Sequence, residues 1–130
     1  MKILIVDDEF VSQQKLSLLL AKKGQCETAS SGEQAYEMFC RAFNNNAAYS
    51  LITLDFEMPG LSGPQVLEKI RAFEAENGVT SRDKWVKVIM VTSKNDSKSV
   101  MSSYKSGCEN YLTKPFNKDD IRKSLATIGL

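Results

Sequence analysis

Polar residues of complementary chemistry stand at the ends of the apolar runs in this sequence. Asp7 and Asp8 follow an apolar run at the N-terminus, and Asp55 ends the run LITLD. Thr92 follows the run VIMV, and Lys114 lies just beyond the pair Tyr-Leu. If the fold brings these ends together, the three carboxylates repel one another, since two unit charges 4 Å apart cost about 4 kcal/mol at an effective dielectric constant near 20. Such a cluster must take up protons or bind a cation.

The available ligand chemistry favours a hard cation. The sequence contains no histidine, which excludes Ser-His-Asp and Cys-His nucleophile systems and histidine-ligated metals. A site that offers only a few carboxylates and keeps several water ligands suits Mg²⁺ better than Ca²⁺. A cation, an ammonium and a hydroxyl together would stabilise a phosphoryl group during its transfer to Asp55, and a carboxylate that attacks phosphorus forms an acyl phosphate.

Each of these residues, taken alone, also has an ordinary structural interpretation. Asp7 and Asp8 could complement the dipole at the start of a helix. Asp55 could be a turn residue, Thr92 a helix cap and Lys114 a surface lysine. Their joint occurrence at the ends of successive runs favours a functional site.

The elements that would position these residues are repeated β/α units, because short apolar runs alternate with segments of helical period. The predicted strands cover residues 2–6, 25–29, 51–54, 86–91 and 110–112. Most are continuous apolar runs, which is typical of a parallel sheet with helices on both faces. We therefore predict a doubly wound sheet of five strands and five helices. Its ligand site should lie beyond the carboxyl ends of the strands.

Several helix boundaries can be read from capping residues. Ser31 and Gln34 have the spacing of a capping box before the clearest amphipathic helix. Ser62 and Asn117 are suitable N-caps for the third and last helices. The fourth helix, predicted at 97–106, is rich in serine and poor in apolar anchors. We expect it to be the least stable element and the easiest to shift.

Length and composition limit the remaining possibilities. The 130 residues suffice for one domain, and 17 basic against 16 acidic residues give a net charge of +1, so nucleic acid is not an expected partner. The N-terminal apolar run is too short for a signal peptide or a membrane span, which predicts a cytoplasmic protein without a membrane contact. Cys26, Cys40 and Cys108 are widely spaced, and we expect them to be reduced.

The ordered set of motifs resembles the receiver domain of bacterial two-component response regulators, the CheY-like family. The resemblance covers almost all of residues 1–127. It rests on Ile5-Val6-Asp7-Asp8-Glu9, Gly32 with Ala35, Asp55-x-x-Met58-Pro59 followed by Gly63, Val91-Thr92-Ser93, and Gly107-Cys108 through Tyr111-Leu112-x-Lys114-Pro115-Phe116. It implies a flavodoxin-like (βα)5 domain with a parallel sheet in the order 2-1-3-4-5. Cys108 stands where the family usually has alanine, and Ser93 is bulkier than its commonest counterpart.

The resemblance also implies chemical roles for the matching residues. Asp55 would be the phosphoacceptor, and Lys114 would contact the phosphoryl group. Asp8, Asp55 and the backbone carbonyl of Glu57 would be the Mg²⁺ ligands, while Asp7 would act through a water molecule. The position of Lys114 before Pro115 suggests a fixed turn, which a cis peptide bond would provide.

The implied signalling device couples the site to a surface. Thr92 would be the switch hydroxyl that moves toward the phosphoryl group, and Tyr111 the aromatic residue that then turns inward. The surface formed by the fourth helix, the last strand and the last helix would change as a result. Glu57 and Lys94 would flank the path of the hydrolytic water, and an ion pair between them predicts slow self-dephosphorylation.

The resemblance implies a protein that is not an enzyme, apart from catalysing its own phosphorylation and dephosphorylation. We expect residues 1–130 to form a single receiver domain without an output domain. Its partners would be a histidine kinase or a histidine phosphotransfer protein upstream and a protein target downstream. Chemotaxis-like signalling and phosphorelay transfer are both compatible with the sequence.

Two other classes share part of this pattern. A magnesium-dependent phosphohydrolase with an aspartate nucleophile is the main alternative. The haloacid dehalogenase type, however, has a second aspartate two residues after its nucleophile, where this sequence has Glu57. A flavodoxin-like electron carrier would need a glycine- and hydroxyl-rich phosphate loop after the first strand, where Asp7, Asp8 and Glu9 would repel a phosphate.

Overall fold

Five strands form one parallel sheet in the order β2-β1-β3-β4-β5, which confirms the predicted topology. The structure is a computed structural model that describes residues 1–93 and 107–130. The strands are Lys2–Val6 (β1), Gln25–Ala29 (β2), Leu51–Asp55 (β3), Lys87–Ser93 (β4) and Asn110–Lys114 (β5). Strand β4 begins one residue later than predicted.

Three strands extend further toward their carboxyl ends than the apolar runs suggested. Asp55 is the last residue of β3, Thr92 lies within β4 and Lys114 ends β5. The parallel ladder continues through these polar positions, with Asp55 opposite Val91 and Thr92 opposite Thr113. Backbone groups make the ladder, so a polar side chain at the sheet edge does not end it.

Four helices are found in the described part of the chain. They are Phe10–Leu20 (α1), Gly32–Asn44 (α2), Gly63–Glu76 (α3) and a C-terminal helix, Lys118–Thr127. A short 3-10 turn, Arg82–Lys84, precedes β4. The helix predicted at 97–106 lies outside the described residues. None of the described helices is long and apolar enough to cross a bilayer.

The three predicted N-caps are all in place. The side chains of Ser62 and Asn117 each take part in a complete capping box. The box at Ser31 is only half formed, because Ser31 accepts a hydrogen bond from the backbone of Gln34 while the Gln34 side chain accepts from the backbone of Ser30. Caps of this kind stabilise a helix by about 1 kcal/mol each.

The sheet is covered by helices on both faces, which explains its continuous apolar strands. On one face, side chains such as Leu4 and Ile52 pack with Phe39 of α2 and Ile70 of α3. On the other face, residues that include Ile3, Ile5 and Val91 pack with Leu16 of α1 and Leu125 of the C-terminal helix. These two core layers hold the carboxyl ends of the strands at one edge.

A nearly buried arginine fixes the chain just before β5. The Arg71 guanidinium is paired with Glu74 at 2.6 Å and with Glu109 at 3.2 Å. It also donates to the carbonyl of Gly107 at 2.7 Å and stacks on Trp85. The cluster links α3 to the start of β5, and removal of one partner would leave a buried charge unpaired at a cost of about 3–5 kcal/mol.

Candidate functional site

The three predicted acidic residues meet at the carboxyl edge of the sheet. Asp7, Asp8 and Asp55 each offer a carboxylate oxygen, and these atoms all lie within 4.8 Å of one another. The cluster forms because β1 and β3 are neighbours, with Val6 opposite Leu54. Asp7 and Asp55 are buried, whereas Asp8 is exposed. The cluster therefore has one side in the protein and one side open to solvent.

Lys114 approaches the same cluster from β5. Its Nζ atom lies 3.0 Å from Asp7 Oδ2, 3.6 Å from Asp55 Oδ1 and 3.7 Å from Glu9 Oε1. The other oxygen of Asp7 accepts a hydrogen bond from the Glu9 backbone at 2.9 Å. The peptide bond between Lys114 and Pro115 is cis. The predicted lysine thus forms ion pairs with Asp7 and Asp55, two of the three predicted acids.

Burial and charge together perturb the ionisation of the site. Burial, reinforced by the charge of Asp7, raises the pKa of Asp55 to about 7, although the charge of Lys114 opposes the shift. Desolvation is thus a larger cause of this shift than the repulsion between the acids. Burial also acts to lower the pKa of Lys114, but the hydrogen bond to Asp7 and the charge of Asp55 outweigh it and raise that pKa. The lysine remains charged.

A cleft of about 250 Å³ opens above the acids. It is lined by Asp8, Glu9, Asp55, Phe56, Glu57, Ser93 and Lys114. One water occupies about 30 Å³ in the liquid, so the cleft can hold a hydrated cation beside a phosphoryl-sized group. Glu57 and Ser93 are exposed residues of its wall.

The two residues predicted to form a switch lie on neighbouring strands. Thr92 is buried, and its hydroxyl donates to the carbonyl of Ser93 at 3.3 Å. Tyr111 is 43% exposed and lies opposite Met90 in the ladder. Thr92 follows Val91, which is the ladder partner of Asp55. Lys94, predicted to affect phosphoryl lifetime, lies outside the described residues.

Gln13 supports the acid cluster and was missed from the sequence. Its buried side-chain amide donates to the carbonyl of Asp7 at 2.7 Å and to Ser30 Oγ at 3.1 Å. The contact connects the ends of β1 and β2. A signal was available, because Gln13 is a polar residue in helical register with the core residues Leu16 and Leu20.

Two further contacts hold the loops around the cleft. Lys15 of α1 donates to the carbonyl of Phe116, two residues beyond Lys114. Glu33 of α2 accepts from the backbone of Leu61 at 2.8 Å, in the loop that follows β3. The sequence carries no signal for either contact, since both side chains belong to exposed, charged helix surfaces.

The fold and the site together define the class. A parallel sheet in the order 2-1-3-4-5 is a flavodoxin-like architecture, and here it carries an acidic cleft at its carboxyl edge. Residues 3–126 match the family described as the response regulator receiver domain, and the chain belongs to this family. Receiver domains are phosphoryl-accepting signalling modules of two-component systems and not conventional enzymes.

Relatives of known sequence extend beyond the matched region. The transcriptional regulatory protein SrrA of Staphylococcus aureus is 32% identical over 121 residues. These residues are 92% of this chain but only 44% of SrrA. The chain therefore spans less than half the length of the curated relatives it matches.

Solved structures resemble nearly the whole chain. A response regulator receiver domain protein from Clostridium thermocellum is 29% identical with a TM-score of 0.79, and the match covers 98% of this chain and 92% of that one. Vibrio cholerae chemotaxis protein CheY4 is 26% identical with a TM-score of 0.77, covering 98% and 97%. These likenesses agree with the family assignment.

Proposed function

We propose that Asp55 is the aspartate that accepts the phosphoryl group. The observation that carries this proposal is the placement of Asp55 in the cleft, with the oxygens of Asp7 and Asp8 within 4.8 Å and Lys114 Nζ 3.6 Å away. An oxygen of Asp55 attacks the phosphorus of the donor. With a phosphohistidine donor, the phosphorus–nitrogen bond breaks, the electron pair stays on the imidazole nitrogen and the nitrogen takes up a proton. The product is an acyl phosphate.

The residues of the cluster fit Mg²⁺. The oxygens of three carboxylates converge, and no cysteine sulfur or histidine nitrogen is among the candidate ligands. Oxygen ligands with solvent access on one side are those that Mg²⁺ prefers. Asp8, Asp55 and the carbonyl of Glu57 would hold the ion, and Asp7 would act through water. When bound, Mg²⁺ supplies positive charge that neutralises the phosphoryl oxygens.

Lys114 and the acids that bind it have separate tasks in this scheme. Its ammonium lies beside Asp55 and carries a positive charge that stabilises the transferring phosphoryl group. Asp7 orients that ammonium through the 3.0 Å contact. The protein catalyses only its own phosphorylation and dephosphorylation.

The phosphorylated site signals through Thr92 and Tyr111. The Thr92 hydroxyl moves to bond the phosphoryl group, and Tyr111 then turns inward. The burial of Thr92 next to the ladder partner of Asp55 and the exposure of the Tyr111 ring support this order of events. The surface that changes comprises β5, the C-terminal helix and the helix predicted at 97–106.

The expected partners follow from this chemistry. A histidine kinase or histidine phosphotransfer protein would donate the phosphoryl group, and a downstream protein would bind the changed surface. We place these events in the cytoplasm. Glu57 in the wall of the cleft, together with Lys94, would slow dephosphorylation by screening the acyl phosphate from water.

The direct test is the intact mass after incubation with acetyl phosphate and Mg²⁺. The wild-type protein should gain the mass of one phosphoryl group, and Asp55→Asn should gain none. Equal gain in both proteins would refute Asp55 as the acceptor. Repeated turnover of a phosphate ester would instead favour the phosphohydrolase alternative.

Two variants test the later steps. Thr92→Ala should still be phosphorylated but should no longer change its affinity for a partner captured with the phosphorylated wild type. An unchanged response of Thr92→Ala would contradict the switch. For the phosphoryl lifetime, Glu57→Ala combined with Lys94→Ala should lose the group faster than wild type, and slower loss would contradict the screening role.

A further inference from the structure

A lysine outside the cleft holds the segment that carries Lys114. Lys15 Nζ of α1 donates to the backbone oxygen of Phe116 at 2.5 Å, across 101 residues of sequence. The same ammonium lies 4.5 Å from the centroid of the Phe116 ring. Two groups of one residue, its carbonyl and its ring, are therefore engaged by a single charged side chain.

Phe116 helps to fix the direction of the backbone that follows Lys114. On its N-terminal side, Lys114 is aligned with Ser93 in the β4–β5 ladder. On its C-terminal side only Pro115 separates it from Phe116, and the proline ring restricts the intervening backbone torsion. The Phe116 ring is buried in the core layer shared with α1 and the C-terminal helix, but ring burial leaves the direction of the carbonyl free. The hydrogen bond from Lys15 sets that direction.

We propose that Lys15 is a positioning residue that holds the Lys114–Phe116 segment so that the Lys114 ammonium reaches the phosphoryl group on Asp55. This inference rests on the proposed role of Lys114. Lys15 does not line the cleft, and within the described part of the chain its side chain forms no hydrogen bond or ion pair with the acids. Its effect on the reaction therefore runs through the backbone beyond Lys114.

Lysine suits this task because one ammonium can donate to an oxygen while it faces an aromatic ring. Methionine keeps an unbranched apolar stem of similar length but has no donor and no charge. Arginine keeps the charge and the donors with a different shape. The three side chains therefore separate apolar packing at position 15 from the presence of a charged hydrogen-bond donor.

The test compares phosphorylation rates with acetyl phosphate at saturating Mg²⁺. Lys15→Met should slow the reaction roughly tenfold, because even a misplacement of about 1 Å near reacting groups can cost on the order of a hundredfold. The Kd for Mg²⁺ should stay within about twofold of wild type, because the Lys114 charge remains in the cleft and Lys15 itself forms no ion pair with the acids. Lys15→Arg should recover part of the rate.

The matched control is Lys118→Met. Lys118 is exposed and follows Phe116 by two residues, and its side chain makes no hydrogen bond or ion pair with any described residue. The Lys118→Met change removes the same charge from the same region and should leave the phosphorylation rate unchanged. An equal slowing in Lys15→Met and Lys118→Met would show a general charge effect and overturn the inference.

A double-mutant cycle distinguishes a positioning role of Lys15 from a general structural role, because only the former depends on the presence of Lys114. In a Lys114→Ala background, Lys15→Met should cause no further slowing, because the group it positions is absent. The same tenfold slowing in both backgrounds would overturn the inference. If Lys114→Ala is phosphorylated slowly but Lys15→Met at the wild-type rate, the inference about Lys15 fails and the role of Lys114 stands. If Lys114→Ala is phosphorylated at the wild-type rate, the proposed role of Lys114 fails as well.

Discussion

Lys114 contacts Asp7 more closely than it contacts Asp55. The distances are 3.0 Å to Asp7 Oδ2 and 3.6 Å to Asp55 Oδ1. Asp55, the proposed phosphoacceptor, therefore shares the Lys114 ammonium with Asp7, which lies closer to it. Burial and, second, the charge of Asp7 raise the pKa of Asp55 to about 7, and Lys114 only partly opposes this shift.

The lysine should compete with a divalent cation for the acids. Lys114→Met removes a positive charge that repels Mg²⁺, so we expect Mg²⁺ to bind roughly tenfold more tightly while phosphorylation becomes slower. Isothermal titration of Mg²⁺ checks the affinity, with Lys118→Met as the charge-matched control. Weaker Mg²⁺ binding by Lys114→Met would show that the lysine orients the ligands instead of repelling the ion.

The metal-free protein should lose stability as the pH rises. Because the folded protein holds the Asp55 proton more tightly than the unfolded chain, the stability that this group contributes is present below its unfolded pKa of 3.8 and is lost through about 7. The side chain that Asp55→Asn introduces cannot ionise. The free energy of unfolding of Asp55→Asn should therefore exceed that of wild type by near zero at about pH 4 and by on the order of 2–4 kcal/mol at about pH 8. Urea unfolding in EDTA measures this difference. An advantage that does not change with pH would contradict it.

Gln13 should affect both stability and cation binding. Gln13→Met leaves the carbonyl of Asp7 without its 2.7 Å donor, and we expect a loss of about 1–3 kcal/mol in the free energy of unfolding. Mg²⁺ affinity should fall several-fold, because Asp7 and Asp8 directly follow this strand end. Gln14→Met is the control: Gln14 is exposed on the same helix, and its change should stay within about 0.5 kcal/mol. Equal effects at both positions would exclude a specific role for Gln13.

Thr53 offers a stabilising substitution beneath the site. Its hydroxyl is buried and, within residues 1–93 and 107–130, lacks a hydrogen-bond partner. Thr53→Val has nearly the same shape and removes the unsatisfied group, so we expect a gain of about 1 kcal/mol in thermal or urea unfolding. Thr28→Val on the half-buried edge strand β2 should change stability by less than about 0.5 kcal/mol. A destabilised Thr53→Val would indicate a buried water at this hydroxyl.

Much of the fold follows from local patterns. Continuous apolar runs predict buried parallel strands, and Ser62 and Asn117 mark helix starts because their side chains accept backbone hydrogen bonds within the same turn. The strand ends were predicted less well. Asp55 and Lys114 belong to their strands because the ladder depends on the neighbouring backbone, which the local sequence does not describe.

The sequence by itself determined which chemical groups reach the functional edge. In a parallel sheet all carboxyl ends lie on one side, so the positions of Asp7, Asp8, Asp55 and Lys114 after apolar runs were enough to predict the cluster. Only the tertiary structure decided which acid holds the lysine, how far burial shifts Asp55 and which helix residues brace the loops. These features depend on differences of tenths of an ångström and on contacts such as that of Lys15 with Phe116. No periodic pattern in a sequence records a contact between residues that meet only after the chain has folded.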